Sequence, residues 1–311
     1  MSLTSYLTDP NHPVIRQKFR DEFLRPTFNF DNDIKAPPLT KNYGIIGTAF
    51  DYVLRFTIQH HNKGKQIHGG QWVADISYKR LENAFYGTEQ STFRKRYGRT
   101  KTNHEKYLKN GKITKELLAD TLFLAKLDLY IRSGMIAPDM FIESDLDIKD
   151  LKNLCATINI SDFAFNEQCF LNPTFGKGSL MVGGADADII LDDTLIDIKV
   201  TKHLKLEREY LNQLIGYYIL SLIGGVNNKH DGAKIKKIGV YFARHGILWT
   251  VPLSDFGTPE KFQSFKTWFA SYFDNIRQER LAEVNERLET LKTQIAKEKK
   301  KTNGRKKKAS R

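Results

Sequence analysis

One segment near the middle of the chain constrains the fold more strongly than any other. Residues 183–202 read GGADADIILDDTLIDIKVTK, so that two apolar runs flank the polar pair Asp192–Asp193. Two short runs of this kind separated by two polar residues are typical of a β-hairpin whose turn lies at that pair. With the turn there, Leu191 faces Thr194, and the register of the other residues in both strands follows.

Charged side chains share one face of this predicted hairpin. In the same register Asp188 faces Asp197 and Asp186 faces Lys199, and the alternation of side chains along a strand places all four on one side. Carboxylates directly opposite each other have Cβ atoms about 5 Å apart and repel, and a divalent cation such as Mg²⁺ relieves that repulsion. The pattern therefore predicts a metal site, in which Lys199 assists the attacking water or stabilises charge that develops on phosphorus. Spacing alone leaves open a solvated face on which the aspartates simply pair with the lysine.

At these residues the chain resembles the PD-(D/E)XK nuclease superfamily, and its RecB-like branch in particular. The superfamily carries an acid on one hairpin strand and (Asp/Glu)-x-Lys on the next, which Asp188 and Asp197–Ile198–Lys199 match. The RecB-like branch adds Gln-x-x-x-Tyr on the following helix, where this chain has Gln213 and Tyr217. The resemblance covers residues 166–253, and the expected order of strands and helix there is similar to the family core.

The resemblance implies a fold, an activity and a set of roles. The fold is α/β (α+β), with a mixed central sheet that contains the PD-(D/E)XK core. The activity is the metal-dependent hydrolysis of DNA phosphodiester bonds, in a phage, defence or recombination and repair system. Asp188, Asp197 and the main-chain carbonyl of Ile198 would hold Mg²⁺ or Mn²⁺, and Lys199 would assist the attacking water. The Gln-x-x-x-Tyr residues would act at the active site and on bound DNA.

Two departures from the family pattern affect the expected ligands. RecB-like enzymes often take a further metal ligand, a histidine, from an upstream helix, and the corresponding residue here is Asp51. Asp51 is therefore a candidate ligand, with a polar position on an amphipathic helix as the alternative. Asp186 is a second candidate ligand, or a support for the lysine. The CRISPR-adaptation branch carries a four-cysteine iron–sulfur cluster, which the two cysteines Cys155 and Cys169 cannot form.

The charge of the chain favours a polyanionic partner. The formal net charge is +13 and the isoelectric point is about 9.5, which suits binding to DNA. Basic and aromatic residues alternate between residues 78 and 112, and a basic run fills residues 297–311. A solvated helical surface and a solubilising tail are the alternatives. The predicted nucleic-acid contacts are Lys202, Arg94, Lys95, Arg96 and Arg99.

Hydrophobic periodicity divides the chain into four regions. A mostly helical region over 1–150 packs on the nuclease core over 151–256, which is followed by a C-terminal helix over 257–299 and a basic, disordered tail over 300–311. Within the core, strands are expected at 168–175, 180–201 (the hairpin), 236–243 and 247–253, and a helix at 205–224. The C-terminal helix has apolar residues at alternating spacings of three and four, which favours burial on the chain's own body over a homo-oligomer or a protein partner. These residues are Leu281, Val284, Leu288, Leu291 and Ile295.

The sequence also limits where the protein acts. No stretch approaches the ~20 apolar residues that a membrane span needs, and residues 1–10 lack the pattern of a secretory signal. We therefore expect no membrane partner and a cytoplasmic location. Two other functions stay open at this stage. One is a DNA-binding module that keeps the nuclease fold without cleavage, and the other is a subunit of a larger nuclease or helicase assembly.

Overall fold

In the described part of the chain, six strands form one sheet whose spatial order follows the sequence order. The computed structural model describes residues 2–31, 33–229 and 233–309, with side chains up to residue 295. The strands are β1 (Gln66–Gly69), β2 (Gln168–Leu171), β3 (Ile189–Leu191), β4 (Thr194–Lys199), β5 (Lys237–Phe242) and β6 (Ile247–Pro252). The β1–β2 and β4–β5 pairs are parallel, and the other three pairs are antiparallel. The predicted mixed sheet and α/β class are thus confirmed.

Helices make up most of the remaining described residues. They are α1 (Leu3–Thr8), α2 (Pro13–Glu22), α3 (Tyr43–His61), α4 (Val73–Leu81), α5 (Gly87–Asn110), α6 (Lys115–Ser133), α7 (Asp145–Cys155), α8 (Lys177–Met181), α9 (Arg208–Gly224) and α10 (Pro259–Ala309). Short 3-10 turns lie at Ile160–Phe163 and Leu253–Asp255. The two ends of α6 show how local sequence sets where a helix begins and ends. The Thr114 side chain accepts a hydrogen bond from the N–H of Leu117, and Gly134 ends the helix with a φ of 73°.

Helix α3 matters most for the site because it joins the N-terminal half to the sheet. Its Phe50 and Val53 belong to one buried apolar cluster with Ile189 and Ile196 of the hairpin strands. Phe50 also stacks on Tyr241 of β5, with ring centroids 6.3 Å apart. Each fully buried side chain of this size contributes about 1.5–3 kcal/mol to folding. The packing therefore fixes α3, and every polar residue on it, relative to β3 and β4.

The structure corrects two sequence expectations in this region. The N-terminal half contributes a strand, β1, that pairs in parallel with β2; its sequence, QIHG, has no alternating pattern that predicts a strand. The hairpin is also shorter than expected. Residues 180–188 are not a strand, because α8 ends at Met181 and Gly183 and Gly184 follow with φ values of 76° and 130°.

The chain divides into two compact units, Met1–Thr258 and Pro259–Arg311. The predicted regions 1–150 and 151–256 both lie in the first unit, and the second is the helix α10. This helix confirms the predicted long C-terminal helix and runs past its expected end at Lys299 to Ala309. Residues 300–309 belong to α10, which contradicts the predicted disorder of that part of the basic tail. Side chains from residue 296, and residues 310 and 311 altogether, lie outside the described residues.

The five side chains of the apolar seam on α10 are 48–52% exposed. Their expected burial on the body of the chain stays a prediction. A role for this seam in binding a partner or a second copy also stays a prediction. Among the helices of the described chain, none combines the length and apolar character that crossing a bilayer requires.

Candidate active site

The hairpin turn lies where the sequence predicted it. Ile189 pairs with Ile196 and Leu191 with Thr194, and Asp192 adopts a φ of 48° at the turn. The Asp192 carboxylate accepts hydrogen bonds of 2.8–3.1 Å from the N–H groups of residues 166–168. Burial opposes ionisation, but these hydrogen bonds outweigh it and lower the pKa of Asp192. Asp192 thus anchors the turn to the chain that precedes β2.

Asp188 lies one residue before β3 and reaches across the hairpin. Its Oδ2 accepts a hydrogen bond of 2.6 Å from the N–H of Ile198, the residue between Asp197 and Lys199. The main chain of Asp188 is also fixed, because its carbonyl accepts from the N–H of Asn172 at 3.0 Å. The two hairpin acids are therefore neighbours, as the register predicted, although the regular ladder ends at Ile189.

The Asp188 carboxyl group sits in a strongly acidic environment. Burial, followed by the negative charges of Asp197 and Asp51, raises the pKa of Asp188 well above its ordinary value. Asp197 itself is only 3% exposed. Like charges at buried positions are costly to a folded protein, and such clusters are typical of functional sites.

Lys199 supplies the compensating positive charge and links the hairpin to α9. Its Nζ lies 2.7 Å from Asp197 Oδ2 and donates a hydrogen bond of 3.0 Å to Gln213 Oε1. Burial disfavours the charged ammonium, but the charges of Asp197 and Asp188 outweigh this effect and raise the pKa of Lys199. Lys199 is thus a fixed cation at neutral pH.

The predicted Gln-x-x-x-Tyr pair is part of the same network. Gln213 Nε2 donates a hydrogen bond of 2.8 Å to the hydroxyl oxygen of Tyr217, and the Tyr217 ring stacks on Phe175 at 5.6 Å between centroids. Burial, with the charge of Asp197, raises the pKa of Tyr217. The side chain of Tyr217 therefore stays neutral and holds the glutamine amide in one orientation.

Tyr210 belongs to this site and was missed in the sequence. The Lys199 Nζ lies 4.8 Å from the centroid of its ring, a distance at which the π-face attracts a cation. Tyr210 lies three residues before Gln213, on the same face of α9. That spacing is a signal that the sequence contained, but it is too common to single out one tyrosine.

Helix α3 carries Asp51, whose negative charge contributes to the raised pKa of Asp188. The Oδ2 of Asp51 forms an ion pair of 2.5 Å with Arg55, whereas its Oδ1 is buried without a hydrogen-bond partner among the described residues. Burial raises the pKa of Asp51, with Arg55 acting in the opposite direction. The residue that stands in place of the family's upstream histidine therefore acts electrostatically on Asp188, one of the expected ligands.

Asp186 does not take its predicted position. It forms an isolated antiparallel bridge with Thr174 and is exposed, whereas the Lys199 ammonium contacts Asp197 and Gln213. The expected pairing of Asp186 with Lys199 is thus wrong, because the ladder between β3 and β4 ends before it reaches Asp186. A role for Asp186 as a metal ligand stays a prediction.

The donor set suits a hard divalent cation. Asp51, Asp188 and Asp197 offer carboxylate oxygens, the ligands that Mg²⁺ and Mn²⁺ prefer. The buried Oδ1 of Asp51, which has no partner, is the kind of atom that a cation would satisfy. Within the described residues, no group of three or more His, Cys, Asp or Glu side chains is already arranged around a metal position. Metal binding therefore stays a prediction that the donor chemistry favours.

The predicted basic contacts on α5 have structural partners. Arg96 and Arg99 both form ion pairs with the buried Asp120 and with Glu143, and Arg94 pairs with Glu82. Lys95 and Lys202 are exposed, and neither forms an ion pair within the described part of the chain. The pairs give Arg96 and Arg99 a role in joining α5 to α6, and DNA binding by all five residues stays a prediction.

Comparison with known proteins adds no relative to this picture. No protein-family model, no curated protein sequence and no solved structure matches the chain. The interpretation of the candidate site is therefore based on its geometry and chemistry alone.

Proposed function

We propose that this protein is a metal-dependent nuclease that hydrolyses DNA phosphodiester bonds. The observation that carries the proposal is the pair of hairpin acids Asp188 and Asp197 beside the cation Lys199, with the charge of Asp51 acting on Asp188 from α3. It is supported by the raised pKa of Asp188 and by the 2.7 Å contact between Lys199 and Asp197. A cluster of this kind costs stability, and catalysis is a reason for a protein to keep it.

Each residue has a definite role in this proposal. Asp188, Asp197, Asp51 and the carbonyl of Ile198 would hold the cation. When bound, Mg²⁺ or Mn²⁺ supplies a Lewis acid and lowers the pKa of a coordinated water. Lys199 would assist the attacking water, attract the phosphate and stabilise the negative charge that develops on it.

Two side chains of α9, Gln213 and Tyr217, hold Lys199 in place. Gln213 accepts from its ammonium at 3.0 Å and is itself held by Tyr217 at 2.8 Å. These two hydrogen bonds limit the positions that the flexible lysine side chain takes. The limit matters because a charge stabilises a transition state only from a fixed place. The net charge of +13 supports a polyanionic substrate.

A second candidate function is a DNA-binding module without cleavage. The observation that favours it is the ion pair itself, since Lys199 occupies the Oδ2 of Asp197 that a cation would need. In this case the lysine would replace the metal as the partner of the acids.

Two measurements on the same samples separate these functions. Linear and covalently closed circular DNA are incubated with Mg²⁺ or Mn²⁺ and with wild type, Asp197→Asn or the control Lys152→Ala, an exposed lysine of α7, and Mn²⁺ binding is measured by calorimetry. The nuclease proposal requires metal binding and cleavage that Asp197→Asn removes and Lys152→Ala retains. Salt-dependent DNA binding without metal binding or cleavage would support the binding module instead, and cleavage of the circle would identify an endonuclease.

A further inference from the structure

Asp51 is followed one helical turn later by a buried cation, Arg55. The side chain of Arg55 is 3% exposed and that of Asp51 17% exposed. The guanidinium donates to Asp51 Oδ2 at 2.5 Å and also points its Nε at the Asp51 carbonyl at 3.4 Å. Arg55 therefore contacts both the side chain and the main chain of Asp51.

Arg55 is itself held from the other side. Its guanidinium lies over the ring of Tyr52, 4.5 Å from the centroid, and the Tyr52 hydroxyl donates a hydrogen bond of 2.9 Å to the buried Asp128 of α6. Tyr52 OH also accepts from the N–H of Ala74 at the start of α4, at 3.3 Å. Three helices thus fix the plane of the guanidinium.

A second buried ion pair in the chain shows what a purely structural arrangement looks like. Arg244 donates to both carboxylate oxygens of Asp150, at 2.8 and 3.2 Å, and Asp150 Oδ2 also accepts from the N–H of Leu39. In that pair both carboxylate oxygens have partners. The Asp51–Arg55 pair differs, because Asp51 Oδ1 is buried and has none among the described residues.

The two ion pairs differ in how many carboxylate oxygens the arginine engages. A guanidinium can engage both oxygens of a carboxylate, yet Arg55 bonds one oxygen and the other is buried without a partner among the described residues. We propose that Arg55 is a positioning residue, which holds Asp51 in the orientation where Oδ1 serves as a metal ligand. This inference rests on the proposed metal-dependent function and adds a residue on which the metal affinity depends.

The test measures Mn²⁺ binding by calorimetry in wild type, Arg55→Met and Arg55→Lys, with thermal unfolding in metal-free buffer. Partners that orient metal ligands typically contribute about 10–100-fold to affinity, so Arg55→Met is expected to weaken Mn²⁺ binding by that factor. Arg55→Lys keeps the charge without the planar fork and should fall between the two. The matched control is Arg244→Met, which removes an equally buried arginine and, at a temperature where it is folded, should bind Mn²⁺ like wild type.

A double variant separates positioning from general damage to the fold. If Arg55 acts through Asp51, Arg55→Met should weaken Mn²⁺ binding no further once Asp51→Asn is present. Wild-type affinity or tighter binding in folded Arg55→Met, or additive losses in the double variant, would overturn the inference. If Arg55→Met does not fold, Arg55→Lys with the affinity of wild type would overturn it equally. Failure of wild type to bind Mn²⁺ at all would instead refute the proposed function, and this inference with it.

Discussion

Replacing Lys199 with methionine tests the chemistry of the site most directly. Methionine keeps much of the apolar length of the side chain and removes the charge. In the structure the ammonium lies 2.7 Å from Asp197 Oδ2 and 3.0 Å from Gln213 Oε1. The substitution therefore deletes the positive charge at the cluster and leaves the hairpin and α9 in place.

The expected loss of rate follows from that position. A phosphate oxygen bound beside Asp197 lies within about 4 Å of the ammonium, and two unit charges at this separation interact by about 4 kcal/mol at an effective dielectric constant of 20. This corresponds to about 10³ in rate, and deletion of one preorganised donor elsewhere costs about 10²–10³. We therefore expect Lys199→Met to lower the cleavage rate by about 10²–10³.

The assay is single-turnover cleavage of DNA with saturating Mn²⁺, so that product release does not mask the chemical step. Lys152→Met, which removes an exposed lysine from α7, is the matched control and should cut within a few-fold of wild type. Because Lys199→Met leaves the buried Asp197 without its partner, folding of each variant is checked by thermal unfolding with and without Mn²⁺. A folded, metal-bound Lys199→Met that cuts within about tenfold of wild type would refute the electrostatic role.

Three further outcomes are expected. Gln213→Leu removes the acceptor that fixes Lys199, and single-turnover kinetics should show a loss of cleavage rate of about tenfold or more with little change in DNA affinity, whereas equal losses in both would contradict a positioning role. Arg244→Met strands the fully buried Asp150, so urea unfolding should show a loss of about 3–5 kcal/mol, and a loss below about 1 kcal/mol would contradict the burial. Burial raises the pKa of Asp128 from 3.8 to about 6. Since the folded state then binds this proton more tightly, Asp128 alone should contribute a fall of about 3 kcal/mol in the free energy of unfolding as pH rises from below 4 to above 6, and Asp128→Asn should make the fall measured by urea unfolding smaller by that amount.

The hairpin was predictable because its signal is local. The polar pair Asp192–Asp193 between two apolar runs set the turn, and the turn set the pairing of Ile189 with Ile196. Helix α9, β5 and β6 were equally accessible, since each shows its own periodicity. The predicted proximity of Asp188 and Asp197 followed from the same count.

Features that depend on distant parts of the chain were not predictable in this way. Strand β1 has no sequence pattern of its own and exists because Gln66–Gly69 pairs with β2. The register placed Asp186 opposite Lys199, but the ladder between β3 and β4 ends at Ile189, and Asp186 bridges to Thr174 instead. Tertiary packing decides both cases.

The basic residues of α5 show the same limit for charges. The sequence shows that Arg96 and Arg99 are basic, but not that both form ion pairs with Asp120 of α6. The position of Asp51 was suggested by resemblance alone. Its ion pair with Arg55 and its oxygen without a partner could be recognised only once α3 was placed on the sheet.

The pairing of Asp51 with Arg55 also bears on how the molecule assembles. The two residues lie four apart on α3, so the pair can form as soon as that helix does, before any contact with β3 and β4 exists. The helix then docks on the sheet carrying its own counter-charge, which lowers the cost of taking an isolated carboxylate out of water. Asp51 can in this way reach an already negative site as one half of a neutral ion pair with Arg55.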